Sequence, residues 1–109
     1  AAICDTDNIL HAAGAGKKML LGHAVSDALT DLMAARSSHV ASLAEGGTIL
    51  PVVRDAENAY TAQLIVPIVA GGDCLGAVIL LSEESGAVME ASCVKLARLT
   101  ADIIASQFD

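Results

Sequence analysis

Between Tyr60 and Ser82 the chain reads YTAQLIVPIVAGGDCLGAVILLS. Two apolar runs, Tyr60 to Ala70 and Cys74 to Ser82, flank Gly71-Gly72-Asp73. Both runs have strand length and are rich in branched residues, and the glycines between them can take the positive φ angles of a tight connection. The spacing predicts a β-hairpin. Nearly every residue of both strands is apolar, so both faces of the sheet must be covered. Pro67 lies inside the first run, where a strand would want a backbone donor.

Elements on either side of this hairpin follow from the same kind of reading. Ala1 to Cys4 and Ile9 to Ala13 are apolar runs around Asp5-Thr6-Asp7-Asn8, a second hairpin with turn-forming residues at its tip. Gly14 to Gly16 break the second of these strands, and Lys17 to Leu21 predict one short helical turn stopped by Gly22. Ser26 stands at an N-cap position with Asp27 in the first turn. Val25, Leu29, Leu32 and Met33 then mark one face of a helix that runs out near Arg36-Ser37-Ser38. Thr48 to Val53 is short and strand-like, with Pro51 indicating an edge, and Arg54 to Asn58 reads as a polar loop.

A last helix is predicted from about Ala87 to Gln107. Met89, Cys93, Leu96, Leu99, Thr100 and Ile103 form one stripe on it, with Ala97, Ala101, Ile104 and Phe108 in a second beside it. Lys95, Arg98 and Asp102 take the remaining face. The apolar arc is wider than one sheet contact needs, so a second helix should pack there. Leu96, Leu99, Ile103, Ile104 and Phe108 are therefore the candidate subunit interface. The fold class is α+β, an antiparallel sheet flanked by helices.

Composition restricts the function. The chain has 109 residues, a size suited to one domain, and is 54% hydrophobic with one Tyr, one Phe and no Trp, so its core is aliphatic. The net charge of -7 repels a phosphate backbone and argues against this segment gripping nucleic acid. No apolar run approaches the roughly 18 residues of a membrane span. Cys4, Cys74 and Cys93 are far apart and odd in number, a pattern of neither a disulfide framework nor a zinc site, and a reducing cytoplasmic setting is expected. The sequence begins abruptly on an apolar strand and is expected to be part of a longer protein.

Catalytic and metal motifs are weak. Gly14-Ala15-Gly16-Lys17 resembles the end of a P-loop, but His11 replaces the required first glycine and Lys18 the magnesium-binding hydroxyl. His11, His23 and His39 lack metal-ligand spacing, and no Gly-x-Ser-x-Gly signature is present. No catalytic residue, metal or cofactor is expected. Arg36, Ser37 and Ser38 form a set able to hold a carboxylate or phosphate. The plainer role for Arg36 is to complement the helix C-terminal dipole. Tyr60 could wall a pocket or fill a sheet edge. These four residues are the candidate ligand-binding set.

The hairpin's Val-Pro-Ile, Gly-Gly-Asp and Leu-Gly-Ala-Val-Ile-Leu-Leu segments resemble the central hairpin of GAF domains, small sensory modules with an antiparallel sheet between helices. AICDTDNILHAAGAGKKMLLG at Ala2 to Gly22, Arg36-Ser37-Ser38, and LARLTADIIASQ near the end extend the likeness. Together they resemble the C-terminal sensor domains of the stage V sporulation protein T family, across essentially all of residues 1–109. Cys74 departs from the pattern, standing where a proline is expected.

The resemblance implies a single GAF-like regulatory domain of a sporulation transcription regulator. In that family an AbrB-like N-terminal domain binds DNA and a further helix precedes the first strand; neither segment is recognised here. It implies an unidentified small-molecule effector, a homo-oligomer formed through helices, no membrane, and DNA contact only through the N-terminal domain. Two other readings stay open: an assembly module without ligand, and a cysteine-based methionine sulfoxide reductase of the GAF type, for which the cysteines show no clustering in sequence.

Overall fold

The computed structural model describes residues 1–14, 20–54 and 60–108. Five strands form one sheet: β1 (Ala2–Cys4), β2 (Ile9–Ala12), β3 (His39–Ser42), β4 (Ala62–Ala70) and β5 (Asp73–Ser82). Their order is β2-β1-β5-β4-β3, with every neighbouring pair antiparallel. Helix α1 (Asp27–Ala35) covers one face and helix α2 (Ala91–Ser106) the other. This is the α+β layout expected, and it is consistent with a GAF-like fold.

The central hairpin forms as its sequence requires. Ala70 pairs with Asp73, and Gly71 and Gly72 turn the chain at φ +58° and +85°. Side chains then alternate between two cores. Ile65, Ala77 and Ile79 join Leu29 and Met33 beneath α1, while Leu64, Val66, Ile68 and Val78 meet Ala97, Ala101 and Ala105 of α2. Burial on both faces explains why these strands read as continuous apolar runs. The Pro67 problem is solved by strand length. Pro67 pairs with Ala77 of β5, whereas β3 stops at His39 opposite Ile65, so β4 has no further partner on that side. Proline is tolerated where a strand is an edge.

Helix α1 begins as its sequence predicts. Ser26 is buried and its Oγ accepts from Leu29 N at 3.1 Å, so the cap satisfies a first-turn donor. The same Oγ donates to Pro51 O and ties the helix start to the segment before Val52. Gly22 has φ +80°, as its role of ending a turn requires, with His23 N donating to Leu20 O at 3.0 Å. The predicted turn from Lys17 to Leu21 lies largely in residues 15–19, outside the described residues, as do most positions of the predicted Arg54 to Asn58 loop.

Two predictions need correction, and one strand was not predicted. The strand expected at Thr48 to Val53 is not formed; only Val53 makes a bridge, to Val25. The buried Gln63 side chain takes both the N–H and the C=O of Leu50, holding that segment by a side chain in place of a strand ladder. The third strand is instead β3 at His39–Ser42, a run too short and too polar to signal itself. The last helix starts at Ala91, not Ala87, because Gly86 at φ +77° and an extended Glu90 delay it.

Candidate functional site

The turn between β1 and β2 is built by Asp5. Its Oδ1 accepts from Asp7 N at 2.8 Å and Asn8 N at 2.7 Å, and these donors hold its carboxyl below the usual range. The turn then docks against the chain entering α1. Val25 N donates to Asp7 O at 2.9 Å and Asn8 bridges Ala24. On the other side of this short segment Val25 bridges Val53, and Arg54 N donates to Ala24 O at 3.0 Å. Residues 7–8 and 53–54 thus flank residues 24–25 as three short extended pieces.

A polar cleft of about 320 Å³ opens over this arrangement, lined by Thr6, Asp7, Asn8, Thr30 and Arg54 among others. Thr6 and Thr30 also line a smaller, mostly apolar recess of about 190 Å³ with Met33, Ala34 and Cys74. The two therefore share a wall. Arg54 Nη2 contacts Asp27 Oδ1 at 3.2 Å, with the two side chains 59% and 90% exposed. Such a surface pair contributes roughly 0–1 kcal/mol.

Cys74 reaches the recess because of a β-bulge. Gly76 pairs with Ile68 and Cys74 with Val69, so Leu75 is an extra residue. By simple alternation Cys74 would share the α2 face with Val78 and Leu80. The bulge turns it to the α1 face, where it packs on the core that contains Cys4. The two thiols are neighbours in space although 70 positions apart in the chain, which their sequence spacing did not reveal. Burial pushes the Cys4 thiol up to about 11, with the charges of Asp5 and Cys74 adding to the effect.

The sequence-predicted ligand set divides. Arg36, Ser37 and Ser38 are consecutive, exposed residues at the C-terminal end of α1. Arg36 is the left-handed C-cap at φ +53°, and its backbone N–H donates to Leu32 O and Met33 O. Ser37 Oγ donates to Ala35 O at 3.5 Å. This trio leads into His39, which pairs with Ile65, whereas Tyr60 precedes the other end of β4, where Ala62 pairs with Ser42. Strand geometry separates the trio from Tyr60 by on the order of 15 Å. Tyr60 is 9% exposed, and burial, followed by the charge of Glu83, raises its phenol pKa. None of the four residues lines the clefts described here. Asp7, Thr30 and Arg54 were not singled out in the sequence, because each reads locally as turn, helix surface and loop.

The candidate interface residues also divide. Leu96, Leu99, Ile103 and Phe108 are 64%, 55%, 54% and 67% exposed. Ile104 is half-buried against the core beneath α2. The helix lies on the sheet through Ala97, Ala101 and Ala105, small residues that allow close approach. Beside it runs an apolar groove of about 240 Å³, lined by Ile3, His11, Val78, Leu80, Leu96 and Thr100 among others.

An antiparallel sheet with a helix on each face defines a small α+β domain, an arrangement consistent with a GAF-like fold. The family described as "Stage V sporulation protein T C-terminal, transcription factor" matches residues 1–109, and the chain belongs to it. It is 35% identical over 82 residues to stage V sporulation protein T of Bacillus subtilis (strain 168). That match covers 75% of this chain and 44% of the relative, so the chain spans less than half of the relative's length. No described helix is long and apolar enough to cross a membrane.

Proposed function

We propose that this chain is a non-enzymatic regulatory domain of a sporulation transcription regulator, which binds a small molecule and joins subunits. The observation that carries the reading is the pair of neighbouring clefts that share Thr6 and Thr30 beside α1, in a chain whose family is that of a transcription factor. Sensing runs through α1, whose Thr30, Met33 and Ala34 line the clefts and whose last residues lead into Arg36, Ser37 and Ser38. A ligand there shifts the regulator by binding one arrangement of the helix more tightly than another. DNA contact belongs to an AbrB-like N-terminal domain, since a net charge of -7 opposes it here. The setting is cytoplasmic, in keeping with free cysteines.

Subunit assembly is supported by the exposed Leu96, Leu99 and Ile103 on α2, an apolar arc that water solvates poorly. It also favours the second reading, an assembly module without ligand. The reductase reading has Cys4 and Cys74 on one face in its favour. Against it, Cys4 is held as a thiol, and the thiolate is the nucleophile.

A thermal-shift screen of metabolites, paired with sedimentation velocity, tests the proposal. Stabilisation by a small molecule together with a concentration-dependent oligomer is the expected result. An oligomer that no metabolite stabilises leaves the assembly module, and thiol-dependent turnover of methionine sulfoxide lost in Cys74→Ser replaces both with the reductase.

A further inference from the structure

Three sulfur side chains share the core where α1 lies over β5. Cys4 and Met33 belong to that core, and Cys74 packs against it. Met33 and Cys74 also line the recess of about 190 Å³ that opens beside Thr6 and Thr30. Cys4 pairs with Ala77 of β5, and the extra Leu75 puts Cys74 two ladder positions further along on the same face. Ala77 is small, so no bulky side chain of β5 separates the thiols. They are close enough for the charge of Cys74 to act on Cys4. Cys74 Sγ donates a weak hydrogen bond to Gly76 O at 3.3 Å, which a stronger ligand replaces.

A diagonal pair of this kind has Cα atoms roughly 7–8 Å apart, with the Cβ atoms somewhat closer. A disulfide needs about 4.4–6.8 Å between Cα atoms, so the thiols are set too wide to join directly without moving a strand. One ion between them relaxes that limit. Two metal–sulfur bonds of about 2.3 Å hold sulfurs up to roughly 4.6 Å apart, against about 2 Å in a disulfide. Donor type then selects the ion. Thiolate and thioether ligands favour monovalent copper. Zinc wants four N, S or O donors, and among the described residues no three of His, Cys, Asp and Glu are placed to hold a metal ion. The net charge of -7 draws a cation in, and the Asp5 charge that opposes ionisation of Cys4 favours a cation beside it.

We propose that Cys4, Cys74 and Met33 bind one Cu(I) ion at the floor of this recess. Cys4 and Cys74 release their protons to water and bind as thiolates, and Met33 supplies a thioether as the third, weaker donor. Copper stays monovalent throughout, so no electron is transferred. The ion ties α1 to β1 and β5. This site does not depend on the small-molecule reading above, and its test is separate from the metabolite screen.

The test is anaerobic titration of the reduced chain with Cu(I), supplied as its acetonitrile complex, against bicinchoninate as a coloured competitor. One ion per chain is expected, with sulfur as the only first-shell donor in X-ray absorption and a higher thermal midpoint. Cys4→Ser and Cys74→Ser should each weaken binding by about tenfold or more, since a lost ligand costs at least what a lost outer-shell partner does. Cys93→Ser should leave it unchanged. Met33→Leu, similar in volume, should lower the sulfur count from three to two.

Failure to draw Cu(I) from bicinchoninate overturns the site. So does nitrogen or oxygen in the first shell of the parent, a reading that needs no variant to fold. Binding that survives Cys4→Ser reduces the site to a single surface thiol, and loss in Cys93→Ser places the copper elsewhere; either result overturns it. An unchanged sulfur count in Met33→Leu overturns the third donor, and excess zinc that displaces the copper overturns the choice of ion.

Discussion

Gln63 and Leu50 pair as if both were backbone. Gln63 Nε2 donates to Leu50 O at 2.7 Å, and Leu50 N donates to Gln63 Oε1 at 2.9 Å. The Gln63 side chain is fully buried, so its amide depends on these two bonds and anchors the segment before Val52 and Val53. That segment in turn caps α1 through Pro51 and Ser26 and positions Arg54.

Replacing Gln63 with Leu removes both bonds while keeping the volume similar. A net loss of about 2 kcal/mol is expected, at about 1 kcal/mol per bond. It should appear as a lower urea midpoint with an unchanged slope. A midpoint equal to the parent would show that this pairing does not hold the segment.

Gly76 has no room for a side chain. A Cβ built there would lie 1.9 Å from Cys4 O and 3.0 Å from Asp5 Cα, both backbone atoms. Gly76→Ala must push β1 away from the bulge, and a loss of about 1–3 kcal/mol is expected in chemical denaturation. The same shift moves Cys74, so its alkylation by iodoacetamide should quicken.

Arg36 ends α1 in a left-handed conformation at φ +53°, the only non-glycine described residue with positive φ. Glycine takes that conformation without a Cβ penalty, although it adds entropy to the unfolded chain. Arg36→Gly should therefore raise stability by about 1 kcal/mol, read as a higher thermal midpoint. Loss of stability would mean that the guanidinium contributes more than the backbone strain costs.

Cys4 gives a pH signature. Its thiol is raised from 9.0 to about 11 in the folded chain by burial. The folded state binds this proton more tightly than the unfolded state. The associated stability is therefore whole below pH 9 and is lost as pH rises towards 11. Cys4→Ala should flatten stability across that window in denaturation series at stepped pH. In the native parent, iodoacetamide should modify the half-buried Cys74 and Cys93 well before Cys4.

Leu99 and Ile103 project from α2 at 55% and 54% exposure. On the proposed assembly through α2, Leu99→Glu with Ile103→Glu should lower the sedimentation coefficient while costing the fold less than about 1 kcal/mol, because neither side chain is in the core. An unchanged sedimentation coefficient would place the subunit interface elsewhere.

The sequence determined what short-range chemistry determines. Continuous apolar runs around Gly71-Gly72 set the central hairpin, Ser26 set the start of α1, and Asp5 to Asn8 set the first turn. The likeness to the sporulation family was legible in the same segments. β3 was not legible, because His39 to Ser42 is a strand only through its pairing with β4. Thr48 to Val53 misled for the opposite reason: its strand-like residues meet a glutamine side chain and no ladder. The candidate site belongs wholly to the tertiary structure. Asp7, Thr30, Arg54 and Cys74 come from a turn, a helix, a chain reversal and a bulge. Their meeting depends on backbone bonds from Val25 to Asp7 and from Arg54 to Ala24, 18 and 30 residues apart, and on one extra residue in β5. Local sequence sets the conformation of each piece, but these contacts pair residues distant in the chain, and no local pattern encodes which distant pieces will meet.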